Sequence, residues 1–326
     1  MKALRITQPG GPEVLEVAEV PTPAPGAGQI LVRVRAAGLN RADLLQRRGH
    51  YPAPPGWPQD IPGMEYGGEI AALGAGVTDL RVGQRVFGLA GGGAQAEYLV
   101  VPAVLALPTP DSLSDIEGGA IPEAYITAHD ALYTQGSLQP GERVLIHAVG
   151  SGVGIAALQI AKAAGCPVLG TSRSADKLAR ARALGLDVRI DAVKESFDVA
   201  TIRATDGRGA ALIIDFIGAE YLERNLNALA LKGRIVFVST LSGQHASLPI
   251  GTVMAKRARL IGTMLRGRSL DEKAAASRAF AEHVLPLLAR AAIKVPIDKV
   301  FPLEQAPEAH RYMEENRNFG KVVFTV

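Results

Sequence analysis

The sequence holds one cysteine, one tryptophan and only 5% aromatic residues in 326 positions. A lone thiol, Cys166, excludes an intrachain disulfide and a cysteine-built zinc centre, and it fits a reducing compartment. No apolar run approaches the roughly 18 residues needed to begin spanning a bilayer. The opening MKALRITQPGGP has no apolar core after its lysine, so it does not read as a secretory leader. Together these absences give the expectation of a cytoplasmic protein without membrane contact. Neither sign of charge dominates: 35 Lys and Arg against 32 Asp and Glu leave +3. No basic stripe interleaved with aromatics is present, so no nucleic-acid partner is expected. The cluster Lys256, Arg257 and Arg259 reads as solvated surface or a seat for one small anion.

What is present is core material, 48% hydrophobic against 21% charged, on a chain long enough for two domains. The first third is broken by VPTPAPGAGQ (20–29), YPAPPGWPQDIPG (51–63) and LAGGGAQ (89–95), with alternating runs such as ILVRVRAAG (30–38) between them. Such punctuation predicts a mainly β domain with long loops. From about residue 124 strand and helix patterns alternate. Strands are expected at 143–149, 167–172, 188–190, 211–218, 234–240 and 259–265. Helices are expected at 152–165, 174–185, 194–207 and 220–233. This alternation predicts an α/β doubly wound parallel sheet, a Rossmann-type domain. A long helix is expected at 270–292, then a helix, a turn at Gly320 and a final strand. That strand is assigned back to the first domain, giving 1–123 with 267–326 as one domain and 124–266 as the other.

The bend between the first strand of the alternating region and its helix reads Gly150-Ser151-Gly152-Val153-Gly154. Residues without Cβ let a diphosphate reach the amides at a helix start, and Gly152, Gly154 and Ala157 fit the dinucleotide fingerprint. The end of the second strand selects the cofactor. An acid there would hold a ribose 2′-hydroxyl, whereas this chain has Ser172-Arg173-Ser174 and then Lys177. Two cations and two hydroxyls favour a 2′-phosphate, hence NADPH over NADH. The plainer alternative makes Arg173 and Lys177 solvated surface and Ser174 a helix cap.

The stretches LNRADLLQRRGHYP (39–52), PGMEYGGEI (62–70), AIPEAYITAHDAL (120–132), GERVLIHAVGSGVG (141–154) and RYMEENRNFGKVV (311–323) resemble a known family. It is the zinc-independent, zeta-crystallin-like NADPH:quinone oxidoreductases of the medium-chain dehydrogenase/reductase superfamily. The likeness runs over essentially the whole chain and is greatest to the branch of the tumour-suppressor-inducible quinone oxidoreductase. It implies a GroES-like catalytic domain beside the Rossmann-type one. It also implies that Asn40, Asp43, Tyr51 and Thr127 lie near the nicotinamide and that Ser151 to Gly154 meet the pyrophosphate. Ser172, Arg173 and Lys177 would meet the 2′-phosphate, with Arg317 reaching in. Backbone around Ile217, Val238 to Thr240 and Met264 to Arg266 would line the ribose and nicotinamide. One departure weakens the 2′-phosphate reading: relatives often place Asn-Tyr where this chain has Asp191-Ala192.

Where zinc-dependent relatives carry a cysteine and a histidine, this chain has Asn40 and Met64, poor zinc ligands, and no metal is expected. Chemistry without a Lewis acid favours acceptors already activated by conjugation, quinones or enones. Tyr51 is the expected polar group toward substrate, with Asn40 orienting it and Asp43 fixing the loop. Trp57, Tyr66 and Phe87 are read as pocket walls or ordinary core, His50 as a solvated loop histidine, Glu65 as a structural hydrogen-bonding group, and Gly91 to Gly93 as a mobile lip. The competing readings are an enone or enoyl-thioester reductase and a zeta-crystallin-like structural or RNA-binding protein. The edge-like strand ARLIGTML suggests a homodimer.

Overall fold

A computed structural model describes residues 1–326. The chain forms two compact units, Met1–Ile126 with Arg266–Val326, and Thr127–Leu265. In chain order the strands are β1 (Lys2–Ile6), β2 (Leu15–Glu19), β3 (Gln29–Leu39), β4 (Glu65–Leu73), β5 (Arg85–Leu89), β6 (Tyr98–Pro102), β7 (Ala106–Pro108), β8 (Val144–Ile146), β9 (Val168–Ser172), β10 (Val188–Asp191), β11 (Ala210–Asp215), β12 (Leu229–Phe237), β13 (Arg259–Gly262), β14 (Ile297–Pro302) and β15 (Lys321–Thr325). The helices used below are α1 (Arg41–Arg47), α2 (Gly152–Ala163), α3 (Ala175–Ala183), α4 (Phe197–Ala204), α5 (Leu222–Ala228), α6 (Leu270–His283), α7 (Leu285–Ala289) and α8 (Ala306–Glu314). No helix is long and apolar enough to cross a membrane.

The first unit is built on β3, which pairs with β15, β4 and β6 in one sheet ordered β14-β15-β3-β4-β5-β7; β1 and β2 pair separately. Along β3 every second residue from Ile30 through Ala36 is buried, the period-two pattern of a half-covered strand. Ile30, Val32 and Val34 pack with Tyr66, Ile70, Val86 and Leu99, while Leu39 joins a second cluster with Leu4, Leu44, Phe301, Met313 and Phe324. α8 supplies Ala306, Ala309, His310 and Met313, a buried stripe at helical spacing.

The second unit is one parallel sheet ordered β10-β9-β8-β11-β12-β13. Counted within the unit the order is 3-2-1-4-5-6, the doubly wound arrangement in which loops at the carboxyl ends of the central strands form the binding crevice. β8 is buried along its whole length, and α2 is buried from Gly154 to Ala161. Such full burial explains why both read as continuous apolar runs.

Two expected helices differ from what forms. The helix expected over 220–233 ends at Ala228, because Leu229 turns to extended backbone and pairs with Ala210 of β11. The helix expected over 270–292 divides at Val284 into α6 and α7, because Pro286, at the second position of α7, has no N–H to continue the ladder.

Candidate active site

In the second unit the chain leaves β8 through His147 and turns at Ala148, whose φ of +44° is unusual for a residue with a Cβ. The Ser151 amide donates to the Ala148 carbonyl at 2.9 Å, closing the turn. Ser151 then caps α2, its Oγ accepting from the Gly154 amide at 3.1 Å. A Cβ on Gly154 would stand 2.6 Å from the Ala148 carbonyl oxygen, so glycine at 154 is required by the turn itself. The amides of Gly152 and Val153 have no partner within the chain, as expected for the first turn of a helix, and Ser151 to Val153 keep partial exposure. Gly150 is buried behind them. At the start of the unit, Thr127 is buried with its hydroxyl unpartnered. Open amides at a helix start and an unspent buried hydroxyl are a donor set that fits a dinucleotide diphosphate and its attached groups.

A buried hydrogen-bond chain holds the loops that follow three of these strands. Thr171 Oγ1 lies 2.9 Å from His147 Nδ1, and His147 Nε2 lies 2.7 Å from Asn225 Oδ1. Asn225 Nδ2 donates to Asp215 Oδ2 at 2.9 Å, and Asp215 Oδ1 accepts from the amides of Ile217 at 2.6 Å and Gly218 at 3.2 Å. The Asn225 orientation makes His147 Nε2 a donor and leaves Nδ1 to accept from Thr171. Burial lowers the His147 imidazole to about 4, so it is neutral at pH 7. Burial raises Asp215 to about 6 against the opposing pull of its three donors. The imidazole also meets Phe197 and Tyr221 edge-on, with ring centroids 4.7 and 4.9 Å away.

Thr171 precedes Ser172 on β9, so this chain also anchors the end of the strand that carries the expected 2′-phosphate site. Ser172 Oγ accepts from the Ser174 amide at 3.1 Å, and Ser174 Oγ caps α3 by accepting from Lys177. Ser174 thus takes the helix-cap role. Arg173 is exposed, Ser172 and Lys177 are half-buried, and no carboxylate occupies the β9 terminus. Asp191 pairs in register with Ser172, but its carboxylate is occupied by the Val193 amide at 3.1 Å and approached by Lys194 at 3.7 Å. Ile217, Val238 and Thr240 gather on the adjoining loops: the Val238 amide donates to the Asp215 carbonyl at 2.8 Å. A Cβ on Gly218 would lie 3.0 Å from Thr240 Cα. Met264 is 60% exposed.

The first unit concentrates its buried charge at one place. Lys321 Nζ contacts Glu65 Oε1 at 2.5 Å and Asn40 Oδ1 at 2.7 Å, while Asn40 Nδ2 donates to Glu65 Oε1 at 2.8 Å. Glu65 Oε2 accepts from the Glu123 amide at 2.8 Å. Asp43 accepts from the amides of Asn40 at 2.8 Å and Gly63 at 3.1 Å; burial raises its carboxyl to about 6, against the pull of those bonds and of Arg266 and Lys321. Arg266 donates to the carbonyls of Gly91 and Tyr51 and to Gln46 Oε1, and its guanidinium stands 5.0 Å from the Tyr51 ring centre. Asn40, Asp43 and Tyr51 therefore do belong to one constellation, tied through Glu65, Lys321 and Arg266.

The Arg266 side chain, whose backbone the resemblance puts beside a dinucleotide, is committed inside the first unit. Gly91 to Gly93 are no exposed lip: all three are buried, and Gly91 is pinned by Arg266. Tyr66 and Phe87 are fully buried core, with Phe87 edge-on to Phe280. His50 is exposed. Arg317 is exposed, paired with Glu315 and stacked 4.7 Å from the Tyr312 ring centre. Sequence reasoning missed Lys321, Glu123 and the His147–Asn225–Asp215 chain. Lys321 sits in the Asn-Phe-Gly-Lys stretch of the C-terminal fingerprint, but nothing local marks it as the partner of residue 65.

Asn40 spends its amide on Glu65 and Lys321, Met64 is a buried thioether, and no three His, Cys, Asp or Glu residues gather around a common point.

Two family descriptions match the chain: an alcohol dehydrogenase GroES-like domain over residues 26–111 and a zinc-binding dehydrogenase over residues 152–282. A quinone oxidoreductase of Pseudomonas aeruginosa is 32% identical over 323 residues, covering 99% of this chain and 98% of that protein. A phenolphthiocerol/phthiocerol polyketide synthase of Mycobacterium tuberculosis is 33% identical over 323 residues, 99% of this chain, but the chain spans only 15% of its length. Among solved structures, an NAD-dependent alcohol dehydrogenase superposes with a TM-score of 0.89 at 34% identity over 100% of both chains. A mycobacterial protein complexed with NADPH has the same TM-score at 28% identity, also over 100% of both chains. The enoyl reductase CurK gives 0.88 at 26% identity over 99% of this chain and 98% of that one. The chain belongs to the medium-chain dehydrogenase/reductase superfamily. It is an oxidoreductase with a GroES-like unit and a Rossmann-type unit.

Proposed function

We propose that this chain is an NADPH-dependent quinone reductase that works without a metal. NADPH bound to the second unit would supply a hydride. The observation that carries the cofactor choice is the end of β9: Arg173 is exposed, Lys177 lies in the first turn of α3, no acid sits on the strand end itself, and the nearby Asp191 is held by the Val193 amide. The amides of Gly152 and Val153 and the Ser151 hydroxyl would hold the diphosphate, and Thr127 the nicotinamide side. In the first unit, Arg266 holds the Tyr51 carbonyl and Asp43 the Gly63 amide, and the hydroxyl of Tyr51 would face the acceptor. Developing negative charge on a quinone oxygen needs a nearby donor or cation, and this buried polar cluster offers both.

The enoyl reductase neighbour favours a second reading, reduction of an enone or enoyl thioester. Comparing kcat/KM across a panel of quinones and enones separates the two. Quinones ahead by tenfold or more support the first, and the reverse order replaces it. Arg173→Ala is expected to weaken NADPH binding by roughly 10-fold, the scale of one charge-assisted contact, with NADH affinity unchanged. Equal loss for both coenzymes would move the 2′-phosphate elsewhere. Turnover that requires stoichiometric zinc would overturn the metal-free reading. We further propose that β13, bonded only to β12, pairs with a second copy; a monomer by light scattering at assay concentration would refute it.

A further inference from the structure

Glu123 is the second residue of a π-helical turn, Pro122–Ile126, a rare backbone form that gathers at functional sites. The other four residues of the turn are buried, and Glu123 alone keeps partial exposure. Its amide is anchored to Glu65, itself locked by Lys321 and Asn40, yet its own carboxyl makes no hydrogen bond within the chain. The groups whose charge it feels come from every neighbouring element: Glu65 on β4, Asp43 on α1, Lys321 on β15, Arg266 before α6, Lys273 on α6, and Tyr51. A carboxyl without a hydrogen-bond partner, on a residue that keeps partial exposure and close enough to Tyr51 for its charge to be felt there, is arranged to exchange a proton.

We propose that Glu123, rather than Tyr51, is the proton donor to the acceptor oxygen in the reaction inferred above, an assignment that rests on that reading. Hydride addition to a quinone or enone pushes an electron pair onto the carbonyl oxygen. The O–H bond of Glu123 breaks as a new O–H bond forms on that oxygen. The acceptor gains two electrons, NADPH is oxidised to NADP+, and solvent returns the proton to the carboxylate. Burial and the neighbouring carboxylates Glu65 and Asp43 raise Glu123 to about 8 against the pull of Lys321 and Arg266, so the acid form is populated at pH 7 and suited to donation. Burial moves the Tyr51 hydroxyl upward, making it the poorer acid.

The test uses the full chain and its Glu123→Gln and Glu123→Asp variants. Infrared titration without coenzyme should show a protonated carboxyl that ionises near pH 8 and is missing from Glu123→Gln. Because this carboxyl is raised in the folded state, its contribution to stability is present at low pH and is lost as pH rises from 4.5 toward 8. The melting temperature of Glu123→Gln should therefore gain on the parent between pH 6 and pH 8. With saturating NADPH, Glu123→Gln should lose roughly 100-fold in kcat and the fall above pH 8, with its NADPH affinity within twofold. Glu123→Asp should recover part of the rate. Full turnover in Glu123→Gln with NADPH bound, or no carboxyl titrating above pH 7, overturns the assignment and leaves the proposed function standing. Failure of the parent to bind NADPH removes both.

Discussion

Lys321→Met is expected to destabilise the GroES-like unit by about 3–5 kcal/mol, the scale for stripping one partner from a buried ion pair. The Lys321 side chain is 5% exposed and that of Glu65 is 0% exposed, so water cannot replace the missing ammonium. Asn40 Oδ1 loses its donor in the same step. For a unit of this size the loss corresponds to a drop in Tm on the order of 10 °C. The double variant Lys321→Met/Glu65→Gln removes the stranded charge and should recover most of that loss, because the pair's desolvation offsets much of its attraction. Thermal or denaturant unfolding of the parent, both single variants and the double variant completes the cycle. A single-variant effect below about 1 kcal/mol would mean that Glu65 is reached by water or another cation, and the cluster would lose its anchor.

This pair also marks how far the sequence carries. Most of the second unit was legible, because its central strands, such as β8, bury both faces and the helices α2 and α3 stop at Gly165 and Gly185. Strands β8 to β13 and helices α2 to α5 stand where periodicity puts them, apart from the shortened α5, but the helix Ile250–Lys256 between β12 and β13 was not expected. The first unit was legible in kind, since the Pro- and Gly-rich loops and the alternation along β3 do specify a mainly β domain. Its pairings were not, because β3 meets β15 across nearly the whole chain and no local pattern encodes such a contact.

The candidate site divides the same way. Ser151 to Gly154 could be read because the constraint is local: a turn, a cap and a close backbone approach lie within seven residues of Ala148. The polar cluster of the first unit joins residues 40, 43, 51, 65, 123, 266 and 321, which lie on separate elements. The resemblance speaks only of backbone near Arg266, and no local pattern announces that its side chain bonds Gly91, Tyr51 and Gln46. His147 could be mistaken for a loop histidine at the mouth of the glycine turn, but full burial and two hydrogen bonds make it the centre of a structural chain.

Asn225→Leu tests that chain and should have the second largest effect. The substitution leaves His147 Nε2 without an acceptor and Asp215 Oδ2 without its side-chain donor, in a place where all three residues are fully buried. Each unsatisfied buried group costs about 1–3 kcal/mol, so a loss of roughly 2–4 kcal/mol in the Rossmann-type unit is expected. Function should fall further than stability alone explains. Asp215 holds the amides of Ile217 and Gly218, and His147 ties the mouth of the glycine turn to Thr171, beside Ser172. Loosening these ties lets three loops drift by fractions of an ångström, and NADPH affinity should drop by at least roughly 10-fold even at a temperature where the variant is folded. Asn227→Leu, two residues along the same helix and exposed, serves as the control and should stay within about 0.5 kcal/mol of the parent. Denaturant unfolding and fluorescence titration with NADPH measure both effects. A variant that unfolds earlier yet binds NADPH with parental affinity would confine the chain to a packing role, whereas coupled losses make it the brace that sets the geometry of the dinucleotide loops.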